Sequence, residues 1–78
     1  MKDQILPLTM VPQDREVELV TITGGRGLRM RLTEMGLNEG VKLRVIHSYL
    51  PGPCLIAVGN ERLVLGYGMA QKILVKEI

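Results

Sequence analysis

The chain predicts a mainly β fold, a small closed or partly closed barrel of five short strands with one short α-helix and a helical turn before the last strand. Three observations lead there. Runs of roughly four to eight aliphatic and β-branched residues recur between turns marked by glycine and proline. One segment, starting at Arg26, switches from a two-residue to a helical period. The length of 78 residues allows a single domain, so every strand must share one core.

Residues 1–15 hold Pro7, Pro12 and the polar group PQDRE and read as an extended lead-in and turn before the folded domain, residues 16–78. EVELVTIT follows (Glu16 to Thr23), with Val17 and Leu19 on one parity and Val20 and Ile22 on the other. That change of parity predicts a bulge or a strand covered on both sides. GGRG breaks the strand. Leu28, Leu32 and Met35 then fall at i, i+4 and i+7, one face of an amphipathic helix of about ten residues, too short to stand alone without docking on the sheet. Gly36 supplies a left-handed stop, and Leu37 stands where a Schellman motif folds an apolar side chain back on Leu32.

After the turn Asn38 to Gly40, VKLRVIHSYL returns to alternation, with Val41, Leu43 and Val45 inward and Lys42 and Arg44 outward. The LPGP loop, CLIAVG, a two-residue NE turn and RLVLG form a hairpin. YGMAQK reads as one helical turn and ILVKEI as the last strand. The helix is expected to cap or plug one end of the barrel.

Composition narrows the function. The aromatics are Tyr49 and Tyr67 alone, so Leu, Ile, Val and Met must fill the core, and so small a chain gains from self-association. One cysteine, Cys54, excludes an internal disulfide and fits a reducing cytosol. The start lacks the long apolar run of a signal peptide, and no stretch approaches the roughly 20 apolar residues of a membrane span. Ten Lys and Arg against eight acids leave a net charge of +2, with the bases interleaved rather than gathered. That pattern argues against nucleic acid as the partner.

Taken together, TITGGRGLRMRLTEMGLNEGVKLRV, GPCLIAV and RLVLGYGMAQKILV resemble the FeoA family of bacterial ferrous iron transport proteins A, over Glu16 to Val75. The resemblance rests on the Gly24-Gly25 pair, Arg31-Leu32, Glu34-Met35-Gly36-Leu37, Gly40, Arg62-Leu63-Val64-Leu65 and Ala70 before Ile73. It implies an SH3-like barrel that serves as a cytoplasmic accessory to FeoB, a membrane ferrous iron transporter with a GTPase domain, and does no chemistry itself. The same fold occurs as the C-terminal module of iron-dependent repressors. Many relatives carry Pro-Gly before the first strand where this chain has VPQDRE.

Three kinds of site were weighed. His47 and Cys54 flank SYLPGP, and a hairpin of that length sets them opposite one another on adjacent strands, about 5 Å apart at Cβ. That is half of a zinc or ferrous site, needing Asp14, Glu16 or a second chain to complete it; the plainer reading is a buried thiol beside a surface histidine. GGRG lacks the Lys-Ser/Thr ending of a phosphate loop. Docking surfaces come third: a helix edge of Arg26, Arg29, Met30 and Leu37, and a loop presenting Tyr49 and Leu50, expected to meet the transporter through apolar anchors ringed by charge. Met35 and Met69 read as core filler. The rival readings are an RNA-binding barrel of the KOW type, drawn from VTITGGRG, and a stand-alone module responsive to a transition metal.

Overall fold

A computed structural model describes residues 4–49 and 51–78. The elements in chain order are β1 (Ile5–Pro7), a 3₁₀ turn (Leu8–Met10), β2 (Glu16–Ile22), α1 (Arg26–Glu34), β3 (Lys42–Ser48), β4 (Cys54–Val58), β5 (Glu61–Leu65), α2 (Tyr67–Ala70) and β6 (Ile73–Glu77). All strands join one antiparallel sheet in the order β1-β6-β2-β3-β4-β5. A single core gathers side chains from both ends of that order, from Val75 of β6 through Val17, Val45 and Ile56 to Leu65 of β5, so the sheet curls upon itself.

The expected five strands become six. β1 lies inside the lead-in and pairs with β6, Leu6 opposite Val75 and Pro7 opposite Leu74. Pro7 is tolerated because β1 is an edge strand, where a missing N–H costs no ladder bond. The next turn buries Leu8 completely and Val11 almost so, and residues 5–11 therefore belong to the packed structure.

The parity change in β2 is a bulge. Leu19 pairs with Val75 and Thr21 with Leu74, which leaves Val20 unopposed. Val17, Leu19 and Ile22 all reach the core as a result. The β4–β5 hairpin turns on Gly59-Asn60, one residue before the expected pair, since Val58 stands opposite Glu61. Gly59 has φ 59, the positive angle that a type II′ turn requires of its first central residue.

α1 buries Leu32 in the core, with Leu28 and Met35 partly buried against it. Its C-terminal end is a complete Schellman motif: the Leu37 N–H donates to the Leu32 carbonyl at 2.9 Å and the Gly36 N–H to the Thr33 carbonyl at 3.0 Å. Gly36 has φ 92, open to glycine and strained for other residues. Leu37 is carried down into the core with 0% exposure.

Candidate functional site

On α1, the residues Arg26, Arg29, Met30 and Thr33 follow the i, i+3, i+4, i+7 spacing of a single helical stripe, opposite the buried stripe of Leu28, Leu32 and Met35. All four face solvent, and Met30 is 56% exposed. The helix begins with Gly25 as N-cap, without a side-chain cap bond and without an acidic residue in its first turn. The positive end of the helix dipole therefore stands beside Arg26 and Arg29 with no compensating acid in that turn.

Beside this stripe lies a groove of about 380 Å³ lined by Ile22, Arg29, Thr33, Leu37, Asn38 and Glu39. Ile22 and Leu37 form its apolar floor, and Arg29, Thr33, Asn38 and Glu39 form its rim. The Thr21 hydroxyl donates to the Glu39 carboxylate at 3.4 Å, tying that rim to β2. The arrangement offers one long flexible apolar side chain, two guanidinium groups and a shallow recess.

Leu37 is not part of an exposed edge, contrary to expectation. Its side chain closes the Schellman motif and is buried, so it contributes to the groove from below. Thr33, Asn38 and Glu39 are the groove residues that sequence reasoning passed over. Thr33 was accessible as the i+4 neighbour of Arg29, whereas polar residues in a turn carry no distinguishing signal.

The expected facing of His47 and Cys54 is also corrected. A second bulge leaves Ile46 unopposed between the pairs Val45–Ile56 and His47–Leu55, so Ser48 stands opposite Cys54. Cys54 points into the core and His47 to the outer face. Burial pushes the Cys54 thiol up from its ordinary value of 9.0, with the neighbouring Ser48 hydroxyl pulling the other way. Among the described residues no three His, Cys, Asp or Glu side chains converge as a metal-holding group.

His47 instead meets Tyr49, ring centroids 4.1 Å apart at an interplanar angle of 51°. Tyr49 is 58% exposed, and its N–H donates to the Pro53 carbonyl at 3.0 Å, closing the loop. Gly52 is required there, since a Cβ at that position would come within 2.4 Å of the Tyr49 carbonyl oxygen. Leu50 lies outside the described residues.

The FeoA domain family matches residues 6–77. A relative from Methanocaldococcus jannaschii, provisionally named Fe(2+) transport protein A, is 37% identical over 71 residues, 91% of this chain and 85% of the relative. A crystal structure of an iron uptake regulatory protein, FeoA, superposes with a TM-score of 0.89 at 32% identity, covering 96% of this chain and 100% of that one. A manganese-dependent transcriptional repressor shares the fold, with a TM-score of 0.88 at 18% identity over 95% of this chain and 42% of its own. The architecture is SH3-like. With the family match running from β1 through the last strand, the chain belongs to the FeoA domain family.

Proposed function

We propose that this protein is a small cytoplasmic accessory of ferrous iron uptake that performs no reaction itself. It docks through the outward stripe of α1 on the cytosolic part of FeoB, a membrane ferrous iron transporter with a GTPase domain. Family membership and the names of the relatives support the iron uptake role. The observation that carries the docking mode is the exposed Met30 on the same helical stripe as Arg26 and Arg29, the latter also lining the groove floored by Ile22 and Leu37. An adaptable thioether flanked by guanidinium groups suits a partner surface that is apolar at its centre and acidic around it. Tyr49, tilted against His47 in the loop joining β3 and β4, is a second contact on this reading. No helix among the described residues is long and apolar enough to cross a membrane, and on this reading recruitment to the membrane runs through the partner.

Calorimetric titration of the protein into the purified cytosolic domain of the transporter tests this. Met30→Ser should weaken the complex by about 1–2 kcal/mol, the cost of truncating a central contact. Tyr49→Ser should weaken it less, with the fold of both variants checked by circular dichroism. Wild-type protein that gives no heat of binding, or a Met30→Ser variant that binds like wild type, contradicts the docking mode.

A further inference from the structure

The outward face of the sheet is organised in cross-strand rows, and two of them run to an open edge. One is Glu16–Arg44–Ala57–Arg62, across β2, β3, β4 and β5; the other is His47–Leu55–Val64, across β3, β4 and β5. Residues along such a row are spaced by about 4.8 Å per strand. Leu63 and Leu65 point inward, so β5 presents Arg62 and Val64 outward, and Val64 is 67% exposed. Among the described residues β5 ends the sheet and pairs with β4 alone.

Charge on this face follows a rule. Glu16 stands opposite Arg44, and Glu18 stands between Lys42 and Lys76, so each glutamate of β2 meets a base on the neighbouring strand. Opposite charges in such positions stabilise the pairing. Arg62 breaks the rule: on one side it has Ala57, and on the other the strand edge.

We infer that the open edge of β5 accepts an added antiparallel strand from a partner protein, carrying an acidic residue opposite Arg62 and a β-branched apolar residue two positions earlier, opposite Val64. Strand addition supplies main-chain hydrogen bonds, and the alternate outward side chains supply selectivity. The acidic residue sets a carboxylate across from a base at this end of the row, as Glu16 stands across from Arg44 at the other, and the apolar residue covers Val64. A second copy of this chain fits less well. Two β5 strands paired antiparallel about Leu63 would set Arg62 opposite Val64 of the copy, with no carboxylate for the guanidinium.

The inference goes beyond the docking proposed for α1 and is tested without any transporter, so either can fail alone. The probe is the capped peptide acetyl-Thr-Val-Thr-Glu-Thr-amide, titrated at millimolar concentration into the isotope-labelled full chain and followed by amide NMR. The expected result is saturable shifts centred on residues 61–65, with slowed amide hydrogen exchange in that strand. The same peptide with Lys in place of Glu should bind about fivefold more weakly, the range open to a cross-strand charge pair. Arg62→Glu, at an exposed position, should reverse that preference while leaving the dispersed spectrum intact. Shifts centred elsewhere, equal binding of both peptides, or no saturable shift would overturn the inference. Shifts in β5 that depend on protein concentration without peptide would assign the edge to self-pairing and overturn it as well.

Discussion

The two ends of α1 are built in opposite ways. At the C-terminal end Leu37 and Gly36 satisfy the Leu32 and Thr33 carbonyls, Arg31 stands in the last turn where a cation suits the dipole, and Leu37 is fully buried. At the N-terminal end Gly25 offers no side-chain cap, the first turn has no acid, and Arg26 and Arg29 stand exposed near the positive pole. A helix of nine residues cannot hold itself, so its anchoring is concentrated where it meets the core. On the proposed docking mode, the difference teaches that stability and contact are allotted to separate turns of one element. The end that leaves local stability unrealised is the end that presents Arg26, Arg29 and Met30.

Substitutions can break or sharpen that contrast. Leu37→Ala should have the largest effect, a loss of about 2–5 kcal/mol, because a fully buried leucine leaves a cavity that the small core closes only in part. Urea unfolding measures it, and a loss well under 1 kcal/mol would show the C-terminal end to be no anchor. Gly36→Ala comes next, at about 1–2 kcal/mol. Nothing lies within 4 Å of a Cβ placed there, so the whole cost comes from forcing φ 92 on a residue with a side chain. An unfolding midpoint equal to wild type would mean that the turn relaxes. Gly25→Asp should have the smallest effect and the opposite sign, a gain of a few tenths of a kcal/mol from a capping carboxylate at the positive pole. Nothing within 4 Å obstructs its Cβ, and a destabilised variant would show that the N-terminal end is not short of a cap.

Much of this was legible in the sequence, for local reasons. The bulge at Val20 is written in the parity change from Val17 and Leu19 to Ile22, and the helix stop in Gly36-Leu37. The bulge at Ile46 is not legible, because Val45 and Ile46 are both apolar, and beyond Val45 either parity of IHSYL could face the core. Missing it put His47 opposite Cys54. β1 was hidden by Pro7, whose residue type reads as a break and is excused only by an edge position that no local pattern reveals. Leu37 was read in two incompatible ways, as the apolar closure of the Schellman motif and as an exposed contact; local packing decides for the first. The polar rim of the groove, Asn38 and Glu39, exists only once the chain after α1 is folded against Ile22.

The central claim is that the N-terminal turn of α1 trades helix stability for partner contact, and one paired measurement tests it most directly. Arg26→Glu/Arg29→Glu is followed by urea unfolding at low salt and by titration into the cytosolic GTPase domain of the ferrous iron transporter. The charge reversal should raise stability by about 0.5–1 kcal/mol through the helix dipole and weaken binding at least tenfold. A variant that is more stable and binds as tightly as wild type would contradict the account.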